Sequence, residues 1–116
     1  MSTVRATTYT VLPDDWDTYE REGWDERYTW TIDVVDTGVG TWAVRWGGRA
    51  LSREGKWDWE PRSSDRDDEW LKAHRFSEGD AIQWARGEVN EIQVNGRTVA
   101  EAYAWVTERR KEEGGE

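Results

Sequence analysis

Thr41–Pro61 reads TWAVRWGGRALSREGKWDWEP, and its alternation decides the fold. Trp42, Val44 and Trp46 share one side of an extended chain, with Ala43 and Arg45 on the other. A period of two is the spacing of a β-strand. Gly47-Gly48 predicts a bulge or bend, because glycine inside a strand pattern adopts backbone angles closed to other residues. Arg49–Ser52 can resume the strand, and Arg53-Glu54-Gly55-Lys56 is a polar turn. Trp57 and Trp59 then point one way, with Asp58 and Glu60 on the other side. Pro61 has no amide to donate and stops the run. The stretch is predicted to be a central β-hairpin. It carries four of the chain's ten tryptophans, all on the inward face.

Working outward, Tyr28–Asp36 (YTWTIDVVD) alternates in the same way, with Tyr28, Trp30, Ile32 and Val34 on one face. This is the pattern of a half-buried antiparallel strand. Thr37–Gly40 turns the chain between the two. Thr3–Leu12 has strand composition and ends at Pro13. Asp14–Arg27 fits neither period. It holds seven acids and two arginines, interleaved with Trp16, Tyr19 and Trp24, and is predicted to be a loop with at most one helical turn. Loops of this length are often functional. Its rings either fold back as a lid over the core or stand out as a contact surface.

Beyond Pro61, Ser64 is a candidate cap for a short helix over 65–74. Ser77 and Asp80 have capping-box-like spacing, with Ala81, Ile82, Ala85 and Val89 as the apolar stripe of the helix that follows. Glu91–Val94 is predicted to be a short strand joining the sheet edge, closed by the turn pair Asn95-Gly96. Thr98-x-x-Glu101 is a capping box opening a helix over Val99–Lys111, with Trp105 off its stripe. The expected fold is therefore α+β: an antiparallel sheet of three to five strands with two or three helices packed on one face. Residues 1–111 form one domain, and residues 112–116 a frayed C-terminal tail.

The chain of 116 residues has a net charge of −9 and no cysteine. Disulfides, thiolate metal sites and thiol nucleophiles are excluded. There is no apolar run of transmembrane length and no signal-like start, so a cytoplasmic protein without membrane contact is expected. The charge is uneven. Residues 37–62 carry five bases against three acids, whereas the flanking segments are strongly acidic. That balance disfavours nucleic acid as a partner overall while leaving one basic-aromatic ridge.

Catalytic signatures do not emerge. His74 is the only histidine and has no recognisable partner for the role of a base, so it reads as a surface or capping residue. The acids at 14–17 and 65–69 lack a calcium-loop pattern, and the glycines sit between strands rather than before a helix. No catalytic residue, metal or cofactor is expected. The candidate binding residues are Trp16, Tyr19 and Trp24 of the acidic loop, Trp105 of the last helix, and Arg45, Arg49, Arg53 and Lys56 of the hairpin. Trp, Tyr and Arg anchor protein interfaces, and bases interleaved with aromatic rings can also hold single-stranded nucleic acid.

The runs WAVRWGGRALSREGKWDWEP, SSDRDDEWLKAHRF and VNGRT resemble, over roughly residues 28–105, small uncharacterised proteins of actinobacterial phages. The resemblance implies a phage origin, a cytoplasmic location in the host cell and a role in host takeover or anti-defence, and it brings no activity or functional residues with it. The expected function is a non-enzymatic interaction module that binds a host or phage protein. The alternatives are a nucleic-acid-binding module using the hairpin 41–61 and a carboxylate-dependent enzyme.

Overall fold

The computed structural model of the chain describes residues 2–24 and 26–114. The Trp-rich stretch yields three strands rather than two. β3 (Trp42–Trp46), β4 (Arg49–Leu51) and β5 (Trp57–Trp59) follow β1 (Thr8–Val11) and β2 (Ile32–Asp36). All five pair antiparallel in chain order. The extra strand comes from Gly47-Gly48. Both residues have positive φ, +54° and +80°, and Trp46 pairs with Arg49 directly across them. Two consecutive positive φ values make a tight hairpin turn whose twist matches the strands, so the chain reverses where a bulge was expected.

The helices are α1 (Trp16–Arg21), α2 (Arg27–Trp30), α3 (Asp68–Ala73), α4 (Glu78–Glu88) and α5 (Val99–Gly114). α4 packs against β1, β2 and β3, burying Ala81 and Ala85 over Ile32, Val34 and Val44. Ser77 caps α4 as its sequence requires, accepting from the Asp80 amide at 3.3 Å. α3 is capped by Asp67 rather than Ser64, since the Asp67 carboxylate accepts from the Trp70 amide at 2.7 Å. Ser64 lies in a short 3₁₀ turn, Ser63–Asp65.

Two strand expectations are corrected. The alternation of Tyr28–Asp36 is interrupted: residues 27–30 form α2, leaving Tyr28 95% exposed and Trp30 buried. The Thr31 hydroxyl donates to the Arg27 carbonyl at 2.8 Å and ends that turn before the strand begins. Glu91–Val94 does not join the sheet. Val94 makes a single bridge to Arg97 across Asn95-Gly96, which again has two positive φ values. The last helix extends past Lys111 to Gly114; Gly115 and Glu116 of the expected tail lie outside the described residues.

The acidic segment after β1 contributes to the core. Trp16, Tyr19 and Trp24, expected as possible contact residues, are all buried. Tyr19 meets Trp24 edge-on at 5.5 Å, and Tyr103 of α5 lies 4.2 Å from Tyr19 and 5.7 Å from Trp24. Trp24 also contacts Trp30 at 6.0 Å. Burial pushes the Tyr19 hydroxyl above its ordinary pKa, with Asp15 and Asp14 adding to the effect. Rings set among acids turn inward because each removes a large apolar area from water, while Asp17 and Glu20 of the same short helix stay exposed. The core is one continuous cluster running from this aromatic group to the α4–sheet interface.

Two outcomes follow from this packing. Trp24→Ala is expected to lose about 3–5 kcal/mol of stability by creating a cavity among four rings; a loss below about 1 kcal/mol in chemical denaturation would return Trp24 to the surface. The capping box of α5 is complete: the Thr98 amide donates to Glu101 Oε1 at 3.0 Å and the Glu101 amide to Thr98 Oγ1 at 3.4 Å. Hydrogen bonds from Thr98 hold the Glu101 carboxyl below the usual glutamate range. Its contribution is therefore present above the unfolded-state value and is lost as pH falls through the lower folded value. Glu101→Gln should flatten the acid limb of the stability profile, measured by thermal melts between about pH 5 and pH 3; an identical limb would refute the cap's role.

Candidate functional site

Adjacent residues of a strand point to opposite faces of the sheet, and Trp59 and Glu60 at the end of β5 seed two different assemblies. The cross-strand register sets Trp46 beside Arg49 and Arg49 beside Trp59. All three lie on the face that carries Val34 and Val44. The Arg49 guanidinium stacks 4.9 Å from the Trp46 ring and 4.5 Å from the Trp59 ring. Trp46 meets Trp57 edge-on at 5.7 Å and donates its indole N–H to the Thr29 carbonyl at 2.9 Å. The result is a fixed Trp–Arg–Trp ladder. Each exposed cation–π contact contributes on the order of 0.5–1 kcal/mol. Gly48 makes room for it: a Cβ there would sit 3.3 Å from the Trp59 ring, at a φ of +80° that side chains resist.

Alternation correctly places the hairpin tryptophans on the inward face, yet their burial fades along the sheet. Trp42 is buried, Trp46 and Trp57 are half-buried, and Trp59 is 68% exposed. The reason is coverage: α4 lies over β1–β3 and leaves the β5 end of that face open. Arg49 pairs with no carboxylate among the described residues.

On the opposite face Glu60 receives three arginines. Its carboxylate lies 3.0 Å from Arg45, 3.2 Å from Arg66 and 3.3 Å from Arg75. Arg66 also donates to the Pro61 carbonyl and Arg75 to the His74 carbonyl, each at 2.9 Å. These contacts cover the small residues Ala43 and Ala50, which are fully buried. Arg45, a candidate binding base on the outward face, is half-buried because Glu60 draws it down. Burial lowers the pKa of the Arg75 guanidinium; Glu60 opposes that shift, while Arg45 and Arg66 add to it.

His74 is buried rather than on the surface. Its ring stacks on Trp70 at 4.1 Å. Ser52, Asp58 and His74 line one cavity, a trio that invites comparison with a catalytic triad. The geometry does not support a relay. His74 Nδ1 is 2.8 Å from the Trp70 carbonyl and Nε2 is 2.8 Å from Asp58, so neither nitrogen is left to take a hydroxyl proton. The Ser52 oxygen instead receives the amides of Glu54 and Lys56, at 3.2 and 3.1 Å, and holds the β4–β5 turn. Among the described residues no group of three or more histidine or carboxylate side chains gathers as a metal site. No helix among them is long and apolar enough to cross a membrane.

The sequence-derived candidates therefore separate. Trp16, Tyr19 and Trp24 belong to the core. Arg45 is tied to Glu60. Arg49 is in the ladder, and Arg53 and Lys56 lie at the other end of β4 and its turn. Trp105 is 42% exposed, with Arg97 and Arg109 packed on its ring at 4.6 and 4.8 Å. Arg66, Trp70 and Arg75 were not singled out from sequence. The only signal for them was composition, because the segment 62–76 has no period that fixes which residues turn inward. Comparison with protein-family models, curated proteins and solved structures finds no match to this chain.

Removing the Glu60 charge leaves three guanidinium groups facing one another. Glu60→Gln is expected to cost about 3 kcal/mol, within the range for breaking a buried pair, measured by urea unfolding. A cost under about 1 kcal/mol would show that solvent screens the three arginines effectively.

Proposed function

We propose that this chain is a non-enzymatic protein-interaction module whose contact face is the Trp46–Arg49–Trp59 ladder. The observation that carries this reading is the 68% exposure of Trp59 on a ring already fixed by Arg49 and Gly48. An indole held in place before contact loses little conformational freedom on binding. Trp and Arg are the residue types that dominate interface energetics. Arg49, without a carboxylate of its own, asks for one from the partner, and Trp59 asks for an apolar pocket beside it. A host or phage protein offering both is the partner this face fits, in keeping with the phage origin implied by the sequence resemblance.

The arrangement of bases speaks against the nucleic-acid reading. Arg45 and Arg49 are on opposite faces, and Arg53 and Lys56 sit beyond β4, so the four do not form a track for successive phosphates.

Affinity capture from an actinobacterial lysate, with nuclease added, tests the proposal through paired baits. A discrete protein should be retained by the wild-type chain and by Trp105→Ala. Its retention should fall by about thirtyfold with Trp59→Ala or Arg49→Glu, the loss expected for a hot-spot residue. A partner retained equally by Trp59→Ala, or one released by nuclease, would overturn it.

A further inference from the structure

The face opposite the ladder holds a second feature, independent of it. An open cavity of about 410 Å³ lies between the Thr37–Thr41 turn, the β4–β5 turn and α3. Arg53, Arg66, Lys72 and Arg75 line it, with Val39 and Leu71 as apolar wall. Among the described residues no carboxylate lines it, in a chain whose net charge is −9. Such clustering is unfavourable unless something offsets it, since like charges at this range repel. Glu60 offsets one charge of the cluster from behind the cavity.

The cations are also held in place. Backbone carbonyls fix three guanidinium groups: Arg66 by Pro61 at 2.9 Å, Arg75 by His74 at 2.9 Å and Arg53 by Lys72 at 3.0 Å. Arg53 lies in addition over the Phe76 ring at 5.3 Å. Anchoring by one or two nitrogens leaves other N–H groups of each fork for a ligand. Neither Arg53 nor Lys72 pairs with a carboxylate among the described residues. The Thr37 and Thr41 hydroxyls bond each other at 2.8 Å and fix the turn that forms the far wall. Val39, at the tip of that turn, is 80% exposed.

We propose that this cavity binds a small phosphorylated molecule, its phosphate held by Arg53, Arg66, Lys72 and Arg75 and its apolar part lying against Val39 and Leu71. A phosphate ester carries a charge of about −1.5 to −2 and three acceptor oxygens at neutral pH, which answers a surplus of several cations better than a carboxylate does. The volume falls at the small-ligand end of the pocket range, roughly 300–1,000 Å³. The acids Glu54 and Glu69 on the neighbouring cavity, beyond Lys72, disfavour an extended polyanion.

Calorimetric titration in phosphate-free, low-salt buffer tests this with phenyl phosphate, inorganic phosphate and benzoate. Phenyl phosphate should bind saturably and at least about tenfold more tightly than either other probe, because only it offers both the dianion and the apolar ring. Lys72→Glu and Arg53→Gln alter exposed side chains, so both variants should stay folded, with a cooperative melt within a few degrees of wild type. Each should weaken phenyl phosphate by about tenfold or more, the loss of a charge-assisted contact. No saturable binding, benzoate binding as tightly as phenyl phosphate, or variants that bind like wild type would each overturn the proposal. Trp59→Ala, on the other face, should leave this binding unchanged, so the site stands or falls separately from the interaction ladder.

Discussion

The paired positive φ angles of Gly47 and Gly48 are the constraint on which the rest of the chain's functional architecture depends. They reverse the chain within two residues and fix Trp46 opposite Arg49. The β4–β5 turn, held by Ser52, then sets Arg49 opposite Trp59 and Ala50 opposite Asp58. One strand position further on, Glu60 is committed to the reverse face. A turn with other geometry would slip this register, and a slip of one residue exchanges the two faces. Trp59 would then replace Glu60 among the arginines, and the carboxylate would stand in solvent.

Much of the fold was legible because it is written in local terms. Period two identified β3 and the β2 segment from Ile32, and the caps at Ser77 and Thr98 marked their helices correctly. Those signals depend on neighbours three or four residues apart. The failures are of another kind. The alternation of Tyr28 and Trp30 continues that of Ile32 and Val34, yet Trp30 is drawn into the cluster with Trp24 and the backbone coils to allow it. Glu91–Val94 has strand composition, but it closes its own turn across Asn95-Gly96 instead of pairing with the sheet. In the first case tertiary packing overrides a short-range preference; in the second a local turn does.

The binding residues were harder to read for a related reason. Composition drew notice to rings among acids, and those rings are the ones the fold hides. An indole at the boundary of a helix such as α1 can turn inward whatever its neighbours are, since only one face of the helix need be apolar. Trp59 shows the converse. Its alternation is that of a core residue, and only the reach of α4, which ends over β3, leaves it exposed. Exposure here is a property of the covering element, not of the strand, and no pattern within Trp57–Trp59 encodes it. Arg66 and Arg75 illustrate a third limit: they meet across Glu60 from positions nine apart, in a segment without period.

The two assemblies share a physical logic despite lying on opposite faces. In each, arginine is immobilised by groups other than the one it is positioned to meet: rings for Arg49, backbone carbonyls for Arg53, Arg66 and Arg75. An arginine on a free surface carries about 2 kcal/mol of side-chain entropy, much of which is lost when it is pinned by a ligand. Pinning it during folding moves that cost into the stability of the domain, where a core packed with tryptophans can bear it. The acidic surplus elsewhere completes the design. Repulsion between copies opposes their association, and the bases are gathered in a few places. Ten tryptophans in 116 residues are then less a binding surface in themselves than the rigid frame on which a few arginines and one exposed ring are held in position.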